Sequence, residues 1–225
     1  MLVQTWMSSD VITVDESTSI IKVGKILEEN DIRHLPVTRN GKLVGMIIDR
    51  DVIKASPSLA TPLKAHELYH LLAETKAKDI MKTDPITIRP DQTVEVAAVL
   101  MLEHRTTGIP VVTGQGDLLG IITQGDVFKV LISITGIYQS GIQFAFNLED
   151  RPGSIKEVAD VIREEHGQIV SILSSSDAVD KGYRHVFIRI KKIPEDNLTR
   201  MIKKLEKKFM LLYMVNDPIE EIISV

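Results

Sequence analysis

The chain has no cysteine among its 225 residues. That excludes disulfides, thiolate metal sites and thiol nucleophiles together. Aromatic residues make up only 4% of it, with a single tryptophan, so a base-stacking surface for single-stranded nucleic acid would have little to be built from. Positive charge is not in excess either. The formal net charge is −4, which argues against a protein that coats nucleic acid. The basic clusters are short, and Lys203-Lys204 with Lys207-Lys208 reads as the wet side of an amphipathic helix. No run approaches the roughly 18 apolar residues of a membrane span, and Met1 to Ser8 lacks the basic end and apolar run of a signal peptide. The expectation is a cytoplasmic protein with no membrane and no nucleic-acid partner. What the chain does have is 44% hydrophobic residues, enough for two or three small cores.

One stretch organises the rest. Gly120-Ile121-Ile122-Thr123-Gln124-Gly125-Asp126 reads as a buried strand that ends in a hydroxyl, turns tightly, and delivers a carboxylate at the first turn of a helix. Gly45-Met46-Ile47-Ile48-Asp49-Arg50-Asp51 is the same construction earlier in the chain. The echo extends outward. Ile12-Thr13 matches Ile86-Thr87, and Pro36-Val37 matches Pro110-Val111. The helix face Ile20, Val23, Ile26, Leu27 matches Val94, Ala97, Leu100, Met101, and the turn Asn40-Gly41 matches Gly114-Gln115-Gly116, one residue longer. An internal repeat of this length decides the architecture before any single residue does. Each copy reads as strand, helix, strand, strand, helix (βαββα), too small to bury its surface alone, so the two pack as a pseudo-symmetric pair. The predicted divisions are 1–56 for the first copy, 57–77 for a linker with a helix from about Lys64 to Thr75, and 78–136 for the second copy.

After Gly136 the pattern changes. Residues 142–148 alternate as a half-buried strand, Asp150-Arg151-Pro152-Gly153 is a sharp turn, and Ile155, Val158, Val161 and Ile162 form a helix face that Gly167 ends. Strands over 169–173 and 183–193, a helix through Leu198, Met201, Leu205 and Phe209, and a strand over 211–215 follow. The order βαββαβ is the split-βαβ, ferredoxin-like arrangement. The fold class is therefore α/β plus α+β, with residues 137–225 as a separate small domain.

These residues resemble known families. The repeats look like a pair of CBS domains, a Bateman module, whose nucleotide-contacting signature matches Gly120 to Asp126. Residues 137–225 resemble an ACT domain with 150–153 as its first turn. The combination is similar to the acetoin-utilisation protein B-like regulators, including the linker around His66 to Met81. The resemblance implies a non-enzymatic, allosteric ligand sensor acting on an unknown regulated protein. It would take an adenine nucleotide (AMP, ADP or ATP) or S-adenosylmethionine in the CBS pair, and an amino acid or other small effector at the ACT domain. CBS pairs associate into discs and ACT sheets pair by their edges, so a homodimer is expected.

The site chemistry follows. A carboxylate at a strand end can accept both ribose hydroxyls, and hydrogen bonds to a charged group contribute about 1.5–3 kcal/mol. Asp126 is placed for this with Thr123 beside it; Asp51 is its equivalent, but Ile48 stands where the threonine would be. The base would lie against the strand beginnings at Ile12-Thr13 and Ile86-Thr87. Arg33 and His34 match positions that line the phosphate end in CBS pairs, and Thr107 and Gly108 replace them in the second copy. The blander reading makes Asp51 and Asp126 helix N-caps and Arg33 and His34 a solvated pair. In the last domain the candidate effector residues are Asp150, Arg151, Gly153 and Gln168. Amino-acid-binding ACT domains carry Asn where this chain has Asp150 and Gln168. The alternative is a turn with Pro152 in the first helical position, in a domain that serves as a dimerisation sheet.

His66-Glu67-Leu68-Tyr69-His70 spells H-E-x-x-H, the spacing that puts two imidazoles on one helix face in zinc hydrolases. It sits in the linker, which offers neither a cleft nor a third ligand. No metal and no catalytic residue is expected. The competing readings are thus a ligand sensor, a structural dimerisation module with degenerate pockets, and a zinc hydrolase.

Overall fold

A computed structural model describes residues 1–55, 70, 72–139 and 141–216. The first copy runs α1 (Val3–Trp6), β1 (Val14–Asp15), α2 (Ile20–Glu29), β2 (His34–Arg39), β3 (Lys42–Ile48), α3 (Asp49–Ala55). The second runs α4 (Ala77–Ile80), β4 (Lys82–Thr83), α5 (Val94–Glu103), β5 (Gly108–Val112), β6 (Leu118–Thr123), α6 (Gln124–Thr135). Capping residues start α2 and α5: Ser19 Oγ accepts from the Lys22 N–H and Thr93 Oγ1 from the Val96 N–H, each at 3.4 Å. The linker helix expected from Lys64 falls mostly outside the described residues; His70 and residues 72–74 are helical.

The two copies of the repeat are interlaced. The short helices α1 and α4 are pseudo-equivalent, and each packs on the other copy. The Val3 N–H bonds the Gln92 carbonyl at 2.8 Å and the Val94 N–H bonds that of Met1 at 2.8 Å; likewise Ala77 N–H bonds Thr18 at 2.7 Å and Ile20 N–H bonds Thr75 at 2.9 Å. Strand β4 pairs with β3 through Met46↔Lys82, and Ser8 bridges Ile121 at the matching place. Two methionines complete the exchange: Met7 lies over Gly120, and Met81 over Gly45. A Cβ on Gly120 would stand 2.7 Å from Met7 Sδ and 2.8 Å from the Ser8 carbonyl, so glycine is the residue that lets the crossing segment approach.

In the first copy β1, β2, β3 and β4 form one sheet, β1–β2 parallel and the rest antiparallel. Over it Val23, Leu27, Leu35, Val37, Ile47 and Ala77 are buried together. The second copy keeps the β5–β6 hairpin, and its flanking pairings shrink to the bridges Ile88↔Val111 and Ser8↔Ile121. The strands expected over 11–14 and at 86–87 are correspondingly shorter. Only Val14–Asp15 pairs in the first copy and Ile88 in the second.

The chain divides into two compact units, Met1–Phe128 and Lys129–Val225, and α6 begins in the first and ends in the second. The second unit continues with a 3-10 turn (Ile137–Gln139), then β7 (Ile142–Glu149), α7 (Ser154–Glu164), β8 (Ile169–Ser175), β9 (Tyr183–Ile190), α8 (Glu195–Lys208) and β10 (Met210–Asn216). This is the βαββαβ order read from the sequence, in an antiparallel sheet ordered β10-β7-β9-β8. Phe144, Phe146, Val186 and Ile188 alternate onto one face and are covered by Val158 and Ile162 of α7 and Met201 and Leu205 of α8. Each such side chain contributes about 1.5–3 kcal/mol on burial. On the other face Arg189, 4% exposed, donates to the Thr135 carbonyl at 2.9 Å, and Ser171 Oγ donates to the same carbonyl at 2.8 Å. Together they close the C-terminus of α6.

Two local expectations are corrected. Pro152 is not the first helical residue: Gly153, at φ 90°, is the N-cap and α7 starts at Ser154. Helix α7 ends at Glu164 and His166, at φ 61°, takes the left-handed turn. Gly167 is needed for space instead, since a Cβ there would meet Ile162 Cγ2 at 2.6 Å.

Candidate functional site

In the first unit a cavity of about 480 Å³ opens where the two copies meet, within the usual range for small-molecule sites. Its apolar wall is Ile12, Ile32 and Ile121; its polar groups include Asp10, Asp31, Arg33, His34, Thr107 and Thr123. The interlacing builds it. The N-terminal segment is carried across to β6 by the Ser8–Ile121 bridge, and His34 at the start of β2 meets Thr107 and Gly108 at the start of β5.

Of the residues predicted to bind nucleotide, the structure brings Ile12, Arg33, His34 and Thr123 to this cavity. Asp126 is not among its lining residues. It is 4% exposed, and its Oδ2 accepts from the Thr123 N–H at 2.9 Å and from Thr123 Oγ1 at 2.7 Å. Neither aspartate is an N-cap. Helices α3 and α6 start two residues before Asp51 and Asp126, and each carboxylate reaches back to the N–H ahead of the helix, as the acidic arm of a capping box does. For Asp51 the donor is the Ile48 N–H at 3.0 Å. The aspartate thus holds the turn, and in the second copy it also aims the threonine hydroxyl. Thr13 is exposed and does not line the cavity; nor do Asp51, Ile86 and Thr87, which belong to the pseudo-equivalent side.

His34 is not merely solvated, whereas Arg33 is exposed. His34 Nε2 lies 3.0 Å from Thr107 Oγ1. A Cβ on Gly108 would stand 2.7 Å from the His34 ring. The Thr107-Gly108 pair that replaces Arg-His in the second copy is therefore the seat for the imidazole of the first. Burial pushes the His34 pKa below the ordinary histidine value, Asp49 opposes this, and Arg33 adds to it. The neutral form of the imidazole is thereby favoured, and the ring shares a hydrogen bond with the Thr107 hydroxyl.

Sequence reasoning missed Ser8, Asp10, Asp31 and Gln124 as lining residues. The signal that would have found the first two was the repeat itself, extended upstream: Val3 to Met7 and Ala77 to Met81 stand at the spacing of Ile12 and Ile86.

In the second unit the four candidate effector residues do not converge. Arg151 donates to Glu149 at 2.8 Å and to both oxygens of Glu157 at 2.8 and 2.9 Å; these carboxylates, Glu157 first, raise its pKa. Asp150 Oδ1 lies 3.0 Å from Arg184 Nε. Arg151 borders a groove of about 250 Å³ that Asp150, Gly153 and Gln168 do not line. Gln168 lies beyond the other end of α7, and eleven helical residues span about 16 Å.

Among the described residues no group of three or more His, Asp or Glu side chains could hold a metal ion. His66 of the H-E-x-x-H stretch lies outside them, and His70 is exposed. No helix among them is long and apolar enough to cross a membrane.

Comparison with known proteins agrees with this geometry for the first unit. The CBS domain model matches residues 3–58 and 77–133. A CBS domain-containing protein of Dictyostelium discoideum is 35% identical over 135 residues, 60% of this chain and 93% of that protein. The crystal structure of CBSX2 in complex with AMP is 28% identical, covering 60% of this chain and 98% of that one, with a TM-score of 0.51. A crystal structure from Vibrio cholerae assigned to acetoin utilization (AcuB) is 26% identical, covering 62% of this chain and 96% of that one, also with a TM-score of 0.51. With both repeats matched and the cavity formed at their junction, the chain belongs to the CBS-domain family.

Proposed function

We propose that this protein is a non-enzymatic ligand sensor whose CBS pair binds an adenine nucleotide or adenosyl compound in the cavity at Thr123. The observation that carries the reading is the division of that cavity. It has an aliphatic wall for a flat base, an aimed hydroxyl at Thr123 for a sugar, and Arg33 beside His34 for a phosphate. The relative crystallised with AMP supports the ligand class. The chemistry on offer is recognition: the polar groups are arranged around a space, not around a nucleophile and its base. The test is calorimetric titration of nucleotide-stripped protein with AMP, ADP, ATP, S-adenosylmethionine and NAD. One of these is expected to bind between about 1 μM and 1 mM, with Thr123→Val and Arg33→Ala each weakening it. Equal binding by both variants, or no binding at all, moves the structural dimerisation reading to first place.

The second unit fits an ACT domain by its βαββαβ order. Because its candidate residues lie apart within one chain, an effector there would need a site assembled by pairing of two chains. A homodimer has its own support in α5. Val96, Val99 and Leu102 are exposed there, Leu102 by 80%, where the first copy has Lys22, Lys25 and Glu28 on α2. Val99→Lys with Leu102→Glu, which restores the charged pattern, is expected to reduce the solution mass from dimer to monomer. An unchanged mass by light scattering would remove α5 from the interface. A role in acetoin utilisation rests on the resemblance and on the Vibrio cholerae neighbour; loss of growth on acetoin after deletion of the gene would support it.

A further inference from the structure

With no cysteine in the chain, its eight methionines hold all of its sulfur. They fall into three groups. Met1, Met210 and Met214 are exposed, and Met46, Met101 and Met201 are buried. Met7 and Met81 lie between these extremes, half-buried at pseudo-equivalent places. These two stand at the crossings that interlace the copies.

At each crossing the thioether lies on a glycine. A Cβ on Gly120 would stand 2.7 Å from Met7 Sδ and 3.1 Å from its Cγ; a Cβ on Gly45 would meet Met81 Sδ and stand 2.8 Å from its Cγ. The sulfur thus fills the place of the side chain that glycine lacks, and no room is left on that side for another atom. The pairing beneath it is short. Ser8 and Ile121 exchange two backbone hydrogen bonds of 2.9 Å each. Strand β4 is two residues long, with Thr83 opposite Gly45 and Lys82 opposite Met46. One bridge and one two-residue strand have little pairing of their own to resist a side chain that no longer fits. The crossing at Met7 leads directly to Ser8 and Asp10 of the cavity.

We propose that Met7 and Met81 are a paired oxidation site, whose reversible conversion to sulfoxide by a peroxide loosens the crossing segments. A lone pair on Sδ takes one oxygen from hydrogen peroxide. The S–O bond forms as the O–O bond breaks and water leaves, so the sulfur gives up two electrons and the peroxide accepts them. A flexible apolar thioether becomes a polar, bulkier group that no longer lies flat on a glycine backbone. At Met7 the consequence is a displaced wall of the cavity; at Met81 it is the loss of the β3–β4 pairing. This rests on the two crossings alone, and stands whether or not the cavity takes a nucleotide.

The test exposes the whole chain to hydrogen peroxide, maps each methionine by peptide mass spectrometry, and follows amide hydrogen exchange at Ser8 and Ile121. The native chain is compared with the combined variant Met7→Leu, Met81→Leu, in which leucine keeps the volume and resists peroxide. Met7 and Met81 are expected to convert after Met1, Met210 and Met214 and before Met46, Met101 and Met201. With that conversion, exchange at Ser8 and Ile121 should quicken about tenfold or more. Methionine sulfoxide reductases for both epimers should slow it again. The leucine variant should keep its protection in peroxide. If leucine itself loosens the crossing, reductase reversal on the native chain decides. The proposal is overturned if Met7 and Met81 stay reduced until the buried methionines convert, or if they convert with protection unchanged. It is equally overturned if the leucine variant loses protection in peroxide as the native chain does, or if restoring the thioethers does not restore protection.

Discussion

The two copies of the repeat share a backbone plan and differ where function would be built. Each has a capped helix, a hairpin, and an aspartate reaching back to the residue before the last helix. In the second copy that residue is Thr123, whose hydroxyl is gripped by Asp126 and borders the cavity; in the first it is Ile48, and only its N–H is used. At the start of the inner hairpin strand the first copy has His34 and the second has Gly108, the space the imidazole fills. The outer helix is charged in the first copy and apolar in the second. A duplicated fold therefore does not imply a duplicated site. Residues that maintain the backbone recur, and residues that border the cavity or stand on the exposed helix face have diverged.

The largest expected effect comes from breaking the interlacing, and it should be unequal in the two copies. Gly120→Val places a side chain 2.8 Å from the Ser8 carbonyl, which the Ser8–Ile121 bridge holds in place. A loss of about 1–3 kcal/mol is expected in denaturant unfolding. At Gly45 the three nearest atoms all belong to the side chain of Met81, so Gly45→Val should lose less. Equal losses would mean that the two crossings are equally rigid.

Next in size is the hydroxyl. Thr123→Val removes the 2.7 Å bond to Asp126 Oδ2 while keeping shape and the N–H contact. It is expected to lower stability by about 1–2 kcal/mol, together with the loss of nucleotide affinity described above. The reciprocal change Ile48→Thr offers Asp51 the same donor. It should recover part of that amount on its own side, with double-variant analysis separating the two. If Thr123→Val alters binding without altering stability, the hydroxyl serves the ligand and not the turn.

A smaller and pH-dependent difference comes from His34, which has no counterpart in the second copy. Its folded pKa lies below the ordinary value because the ring is buried, so the unfolded chain takes up the proton more readily. The stability it contributes is complete above about pH 6.5 and is lost as pH falls from there toward the folded pKa. The thermal midpoint of the native chain should fall over this window more than that of His34→Gln. Asp49 and Arg33 act in opposite directions on the same ring, so both must be left intact in the comparison. Parallel curves would show that the ring is open to water.

Much of this architecture was legible beforehand, for identifiable reasons. Helix faces and hairpins were readable because apolar spacing and Asn-Gly or Gly-Gln-Gly turns are local signals. The repeat was readable because Gly45 and Gly120 must stay small wherever a segment crosses them. What went unread was which copy a segment packs against, since the upstream extension of the repeat shows equivalence and not partner. The exchange of α1 and α4 is non-local, and it decides that Ser8 and Asp10 face Thr123. In the sequence, a carboxylate beside a threonine reads equally well as ligand contact or as support for the turn. The structure adds that Asp126 is 4% exposed and bonded to Thr123, which establishes the supporting part. The effector residues of the second unit were grouped by family pattern, and the length of α7 keeps Gln168 away from Asp150.

The smallest effect should come from a contact that looks strong. Arg39 forms a bidentate pair with Glu16, its Nε 2.7 Å from Oε1 and its Nη2 on Oε2, and each group shifts the pKa of the other toward its charged form. The equivalent positions in the second copy are Pro90 and Thr113, and that copy folds without the pair. Arg39 is exposed, so the attraction is screened by water and salt and offset by the ordering of two long side chains. The lowering of the Glu16 pKa means that any stability it contributes is present above the ordinary glutamate value and fades as pH falls through the folded one. Glu16→Gln should therefore leave the thermal midpoint at pH 7 and moderate salt almost unchanged, with a difference from the native chain emerging only at low ionic strength. A large drop would mean that the first copy leans on this pair in a way the second never needed. The divergence between the copies would then extend from the site into the energetics of the fold.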